Sequence, residues 1–437
     1  MKKIFLIFKN KKIMYKLKDD IVQKIIDCEV QRQEDGLEMI ASENYVSKEV
    51  MMACSNVFTN KYSEGYVGKR YYGGQENVDQ IELLAQQRAL KIFNLDENVW
   101  HVNVQALSGG PANLAVYLGV LNPGDTILSM DLSAGGHLSH GHKLNGSGIY
   151  YNIISYGVKK DDYLIDYDDI EQKALKYKPS LILAGFSAYP REIDWNMFNK
   201  IANKVQEKYG YKPILMADIA HIAGLIAGGV SSSPFPYFDI ITSTTHKTLR
   251  GPRGGIIFCK KEFQKNIDRG VFPGIQGGPH ENIIVAKAVA FGEILNSDFK
   301  KYTENVIQNA KTFAYELQKL GWNIITGGTD NHIVLMDITT KNNKETGLGG
   351  KIAEENLDNI GISCNKNVLP FDNRKPMDPS GIRFGTSAIT SRGLGQNEII
   401  SIAQIIDQSL SNINNPDKLI KLKREIKNIC SKFPLNY

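Results

Sequence analysis

The run ILMADIAH at residues 214–221, read together with DIITSTTHKT at residues 239–248, decides the fold. Each opens as a short apolar block of strand length and ends on chemically active residues. The first delivers Asp218 and, three positions on, His221. The second delivers His246 and Lys247, 29 residues after Asp218. Open α/β sheets bind ligands beyond the carboxyl ends of their strands, so two neighbouring strands would bring Asp218 and Lys247 to one rim. Taken singly, an Asp at a strand end is usually a turn or cap residue, and a Lys there is usually a surface charge. The surroundings change that balance. TTHKT at 244–248 and RGPRGG at 250–255 gather hydroxyls, cations and glycines around the lysine. The order GxxxxGK[ST] is missing, which excludes a nucleoside-triphosphate loop of that kind.

Working outward, Thr126–Met130, Leu181–Ala184, Ile214–Ala217, Ile240–Thr244 and Gly255–Cys259 read as short buried strands. Ala112–Gly119 and Asn199–Lys208 read as helices between them. Strands alternating with helices predict an α/β fold with a mainly parallel sheet. Residues 19–34 carry a helical stripe at Ile21, Ile25, Ile26 and Val30. The pattern changes near residue 295. An amphipathic helix over Tyr302–Leu320, strands at Asn323–Ile325 and Ile333–Asp337, and a helix at Ile399–Ser411 predict a smaller α+β domain. The segment around Asn342 and the stretch Phe371–Ser380 read as loops. The expected division is an N-terminal extension and arm (1–50), a large domain (51–295) and a small C-terminal domain (296–437). There is no internal repeat or low-complexity tract.

The chain has 437 residues, 42% hydrophobic and 23% charged, an ordinary globular balance for one large domain with a smaller companion. The net charge of +5 is unevenly spread. Residues 1–18 hold seven lysines and no acid, and residues 416–437 hold six basic and two acidic residues. The ends contribute about +11 and the body about −6. Nucleic-acid binders concentrate positive charge on the folded body, so solvated basic tails are expected and a nucleic-acid partner is not. Five cysteines at wide spacings, with no CxxC, argue against a disulfide framework or zinc module and for a reducing compartment. The apolar run Ile4–Phe8 is too short for a membrane span or signal core. A cytoplasmic location is expected. Import directed by residues 1–13 is the alternative, and Met14 as the working start is the preferred reading of that segment.

Pyridoxal 5'-phosphate is the cofactor that needs an Asp–Lys pair on one rim. It attaches covalently to a lysine amine, and its pyridine nitrogen works best protonated beside a carboxylate. A lysine in a partly desolvated pocket near other cations has a depressed pKa and is a better nucleophile. The phosphate requires backbone N–H groups at a helix start, and LSGGPAN at 107–113 supplies a Gly-rich turn with Pro in the first helical turn. A GG turn alone more often serves only as a tight connection.

With these runs in hand, the chain resembles the serine hydroxymethyltransferase (glycine hydroxymethyltransferase) family from about Ile21 to Leu410. The resemblance is carried by LEMIASEN (37–44), YSEGYVGKRYYGG (62–74), SAYPR (187–191), DIAH (218–221), TTHKT (244–248), FPGIQGGPH (272–280) and GIRFGT (381–386). It implies the pyridoxal-phosphate aminotransferase type I fold, with a seven-stranded-type sheet, and a homodimer or tetramer with shared active sites. Residue by residue, it implies that Lys247 carries the cofactor, Asp218 pairs with the pyridine nitrogen, and His137 stacks on the ring. Ser187 and His221 lie on the ring's hydroxyl side, and His246 is a further cofactor-site residue. Ser108 and Gly109 hold the phosphate, with Tyr62, Gly277 and Gly278 contributed by a second subunit. Arg383 clamps the substrate carboxylate, a task suited to a planar guanidinium. Ser42 and Tyr72 contact substrate, and Glu64 transfers a proton near the serine hydroxyl and folate. Leu132, Leu138 and Asn367 line the folate pocket.

The implied reaction interconverts serine and glycine and exchanges the one-carbon unit with tetrahydrofolate. Aldol cleavage of other 3-hydroxy amino acids is an expected side activity. The alternatives are a folate-independent enzyme like threonine aldolase, an aminotransferase, and a non-catalytic binding protein on the same fold. His137 with His140 and His142 spells HxxHxH, which suggests metal but lacks a fourth ligand, so no metal is expected. Four positions depart from the family pattern. Gly110 stands where many relatives carry Ser, Ala106 and Ser387 where Pro is usual, and Ala134 where His is common. The loss of the Ser hydroxyl at Gly110 predicts weaker phosphate binding, not its absence.

Overall fold

The structure is a computed structural model that describes residues 17–435. Its centre is a seven-stranded sheet. In chain order the strands are β1 (Trp100–Asn103), β2 (Thr126–Met130), β3 (Asn152–Tyr156), β4 (Leu181–Gly185), β5 (Ile214–Asp218), β6 (Ile240–Thr244) and β7 (Gly255–Lys260). Across the sheet they run β1, β7, β6, β5, β4, β2, β3. Only β7 is antiparallel to its neighbours. The central strands β4, β5 and β6 are buried almost throughout, because helices cover both faces of the sheet. This is the mainly parallel α/β sheet the sequence predicts. The five strands read from the sequence all form, within a residue of the expected ends. β1 and β3 were not foreseen.

Strand order explains where the site lies. From β2 the chain moves outward to β3, then returns to β4 on the other side of β2 and steps back through β5, β6 and β7. The reversal opens a crevice at the carboxyl ends of β2 and β4, the usual place for a ligand. The Gly109–Val120 helix packs against β6, β7 and the 264–275 segment, with Ala112, Ala115, Val116 and Tyr117 in the core. Gly119 is required there, since a Cβ would sit 2.5 Å from the Asn266 carbonyl oxygen.

A second core forms around a small sheet of Trp322–Ile324, Ile333–Lys341, Gly381–Gly385 and Asn365–Asn367, all antiparallel. The Ser297–Lys319 helix serves both cores. Phe299, Tyr302 and Val306 enter the first, and Phe313, Ala314 and Leu317 enter the second. It starts earlier than the expected Tyr302. The segment around Asn342 is a tight hairpin turn. Asn342 and Asn343 both have positive φ, which asparagine tolerates, and they join Lys341 to Lys344–Glu345. Phe371–Ser380 has no regular structure, as expected.

The basic C-terminal segment is not a solvated tail. Pro416–Lys432 is a helix capped by Asn415, with Leu422, Ile426 and Cys430 buried in the second core. Its lysines occupy the outer face of a docked amphipathic helix, and counting charge without the apolar stripe missed this. The readings made for residues 1–16 lie outside the described residues. Among the described residues, no helix is long and apolar enough to cross a membrane, and no group of three or more His, Cys, Asp or Glu is placed to hold a metal ion.

Candidate functional site

A cavity of about 540 Å³ opens at the carboxyl ends of β2, β4, β5 and β6. Its walls include Leu132, His137 and Leu138 after β2, Ser187 after β4, and Asp218 and His221 at the end of β5. Thr244, His246 and Lys247 come from the end of β6. Ser108, Gly109 and Gly110 close one side at a helix start, and Ser42, Asn367 and Arg383 close another. Strands β5 and β6 are hydrogen-bonded neighbours with Asp218 opposite Thr242, which is how residues 29 apart come to share a rim.

Asp218 is the most constrained group. Its Oδ2 accepts from Asn113 Nδ2 at 2.8 Å and lies 3.0 Å from His140 Nε2, and its Oδ1 accepts from the Ala220 N–H at 3.0 Å. The tautomer of His140 follows from a backbone contact. The His137 N–H donates to His140 Nδ1 at 3.2 Å, so a neutral His140 carries its proton on Nε2 and donates it to Asp218. Burial alone would raise the Asp218 pKa, but the His140 hydrogen bond and nearby imidazoles hold it well below the usual carboxylate range. Asp218 therefore stays an anion, with acceptor capacity left on Oδ1. That is what a protonated pyridine nitrogen requires.

Lys247 is buried, and Nζ donates to Thr244 Oγ1 at 3.1 Å. Burial lowers its pKa to about 8, with Arg383 and Arg253 acting the same way and Asp218 opposing them. A lysine so placed is neutral in roughly one molecule in ten at pH 7, against fewer than about one in a thousand for an ordinary lysine, and the neutral form is the one that attacks a carbonyl. His137 is lowered to about 4 by burial. Its Nδ1 accepts from the Ser139 N–H at 3.1 Å, which leaves the proton on Nε2. Burial also lowers His246 to about 3, and its Nδ1 has no hydrogen-bond partner among the described residues.

Arg383 projects from the Gly381–Gly385 strand of the small sheet. It donates Nη1 to the Ser187 carbonyl at 2.6 Å and Nε to Asn365 Oδ1 at 3.0 Å. It forms no ion pair among the described residues, although burial lowers its pKa to about 10. A part-buried guanidinium without a carboxylate is costly unless an anion arrives to meet it. The guanidinium therefore opens on the same cavity as Lys247 with no acid of its own among the described residues.

At the helix start, Gly109 is tightly fitted: a Cβ would lie 2.7 Å from Thr244 Cγ2, so Thr244 would have to shift. Gly110 is different: a Cβ there meets nothing within 4 Å. The N–H groups of this first turn remain available for a phosphate, and Ser108 makes no side-chain cap that would compete. Anionic Asp218, a lowered and buried Lys247, an uncapped helix start and an unpaired Arg383 together fit pyridoxal phosphate and an amino acid.

Most of the sequence-derived residues meet in this cavity: Ser42, Ser108, Gly109, Leu132, His137, Leu138, Ser187, Asp218, His221, His246, Lys247, Asn367 and Arg383 all line it. Tyr62, Glu64, Tyr72, Gly277 and Gly278 do not. They form a separate cluster. Tyr62 Oη donates to Glu64 Oε1 at 3.1 Å, Tyr72 Oη donates to Glu64 Oε2 at 3.2 Å, and a Cβ on Gly278 would touch the Tyr62 ring. Arg70 anchors this loop, donating to the Ser63 and Gly65 carbonyls and pairing with Asp79 and Glu82.

Sequence reasoning missed Asn113 and His140, which orient Asp218, and Lys366, which lines the wall while paired with Glu354; Arg253, one of the cations read near the lysine, does line the cavity. The HxxHxH run was the available signal for His140, but metal was the alternative weighed for it. The whole arrangement agrees with a comparison against protein families: the chain matches the serine hydroxymethyltransferase family over residues 15–406, nine-tenths of its length, and belongs to that family.

Proposed function

We propose that the chain converts serine to glycine and back, exchanging the hydroxymethyl carbon with tetrahydrofolate. The observation that carries the reading is Arg383, part-buried and without an acid partner among the described residues, lining one cavity with Lys247 and Asp218. Lys247 would hold pyridoxal phosphate, with Asp218 at its ring nitrogen and the 108–110 turn at its phosphate. When bound, the cofactor supplies an electron sink for charge developing at the substrate's α-carbon. Arg383 binds the amino-acid carboxylate bidentately and so fixes which α-carbon bond faces that sink. His137 lines the same cavity as a neutral ring. Leu132 and Leu138, about half exposed at the mouth, with Asn367 opposite, offer a surface for the flat folate ring system.

Glu64 is proposed to carry a proton at the hydroxymethyl group or the folate nitrogen. Because Glu64, Tyr62 and Tyr72 lie off the Lys247 cavity, a second copy of the chain must supply them. Two further observations support a dimer. A hollow of about 790 Å³ is lined by Val57, Phe58, Ile81 and Leu84, and the Asp20–Asp35 helix leaves Ile21, Ile25 and Ile26 exposed. The division into an arm, a large domain and a small domain, at 1–50, 51–295 and 296–437, is likewise proposed, supported by the two separate cores.

The test is serine-dependent glycine formation by purified protein loaded with pyridoxal phosphate, with and without tetrahydrofolate. Strong stimulation by tetrahydrofolate supports the proposal. Equal rates with and without it would assign a folate-independent aldolase instead.

A further inference from the structure

His332 lies outside every motif used so far, yet it is wholly buried and joins three parts of the molecule. It precedes the Ile333–Lys341 strand, and its backbone is fixed by Thr386, whose N–H donates to the His332 carbonyl at 3.1 Å. Its Nε2 lies 3.1 Å from the Ala41 carbonyl oxygen and 3.2 Å from His221 Nδ1, with the two rings nearly parallel. Ala41 adjoins Ser42 on the cavity wall, and His221 lines the cavity from the end of β5.

The carbonyl decides the proton positions. A carbonyl oxygen only accepts, so His332 Nε2 must carry the proton. His221 Nδ1, at nearly the same distance, must then present its lone pair to that N–H. The opposite assignment would set the His332 Nε2 lone pair against the Ala41 oxygen. It would also leave a donor at His332 Nδ1, which is buried without a partner among the described residues. Neither ring escapes by becoming charged. Burial, with Arg383 and Lys247 nearby, lowers His332 to about 3 against the Ala41 contact, and it holds His221 well below its ordinary range. A neutral His221 with an unprotonated Nδ1 carries its proton on Nε2. That atom makes no hydrogen bond among the described residues, and His221, otherwise buried, lines the cavity.

We propose that His332 is a positioning residue that fixes His221 as the Nε2–H tautomer, presenting a donor into the cavity while tying the Ala41–Ser42 segment to the end of β5. His221 then serves an oxygen acceptor in the cavity, either the cofactor's ring oxygen or a substrate carboxylate, and does not act as a base. The functional role rests on the pyridoxal-phosphate reading of the cavity; the tautomer does not.

The test is ¹⁵N NMR of imidazole-labelled full-length protein without cofactor, with His221 and His332 assigned by substitution of each. Both rings are expected neutral and protonated on Nε2. In His332→Leu the His221 signals should shift toward mixed tautomers, with kcat/KM of the loaded enzyme falling roughly 10- to 100-fold. His332→Gln keeps an amide donor where Nε2 stood and should restore both readouts to within about threefold of wild type. A wild-type His221 protonated on Nδ1 overturns the proposal, even if the Leu variant fails to fold. So does a folded His332→Leu with unchanged His221 signals and activity. Wild-type protein with the stated tautomers but no serine–glycine exchange would remove the functional reading and leave this one standing.

Discussion

Two buried lysines, Lys247 and Lys287, have the same chemistry and opposite tasks. Lys287 is fully buried on the Glu281–Ile294 helix, and burial lowers its pKa to about 7, below the value of about 8 for Lys247. By pKa alone it is the better nucleophile. Its Nζ, however, donates to three backbone carbonyls, those of Val104, Ala106 and Gly255, at 2.6, 3.1 and 2.8 Å. All three donor positions are used, and it lines neither of the two cavities described above. Lys247 makes one side-chain hydrogen bond, to Thr244, and faces open space beside Asp218 and Arg383. A perturbed lysine is therefore functional when its donors are unspent and a cavity meets it; the perturbation itself only reports burial. Lys287 ties β7 to the segment that leads into the 108–110 turn, a structural task.

The comparison breaks most readily through activity. Lys247→Ala should lower serine–glycine exchange by roughly 10³-fold or more while leaving the melting temperature within a few degrees of wild type. Comparable activity in the variant would refute the assignment. Arg383→Ala should follow, with kcat/KM for serine falling roughly 10- to 100-fold through lost carboxylate binding; initial rates over a range of serine concentrations measure it.

The pH dependence of cofactor loading sharpens the contrast. Attachment needs neutral Lys247, so below about pH 8 the observed rate should rise about tenfold per pH unit and level off above it. Stopped-flow absorbance reads this, and a flat profile would show that the Lys247 pKa is not lowered. The sign for stability also follows. Both lysines have folded pKa values below the ordinary 10.5, so between about 8 and 10.5 the unfolded chain binds more protons and their contribution to stability rises with pH.

Lys287→Met inverts the pattern of Lys247→Ala. It strands three buried carbonyls and should cost about 2–4 kcal/mol of stability by denaturant titration, with the loss of activity explained by reduced cofactor affinity. The smallest expected effect is at Gly110. The open space there accepts a side chain, so Gly110→Ser should tighten pyridoxal phosphate binding roughly 2- to 10-fold by one hydrogen bond. Weaker binding would mean that the phosphate lies elsewhere.

The same contrast shows what was legible in the sequence. β2, β4, β5, β6 and β7 are short apolar runs rich in branched residues, and their burial on both faces left an uninterrupted signal. Asp218 and Lys247 were legible because they terminate such strands. β1, with the sequence WHVN, and β3, with NIISY, lie at the two edges of the sheet and carry polar residues, so they offered no such run. Residues acting through distant partners were not legible at all. His140 meets Asp218 across 78 residues, His332 meets His221 across 111, and Lys287 meets Val104 across 183. Nothing local marks these pairs, since the sheet topology alone brings them together. The basic C-terminal helix was misread for a related reason. Its apolar stripe has meaning only against the second core.

The most direct test of the central claim is where the cofactor attaches. Purified protein incubated with pyridoxal phosphate is reduced with borohydride, unfolded and digested, and the pyridoxyl mass is located by tandem mass spectrometry. The label should fall on the peptide containing Lys247, in stoichiometric yield, and be lost in Lys247→Ala. A label on Lys287 or on surface lysines, with Lys247 unmodified, would contradict the account.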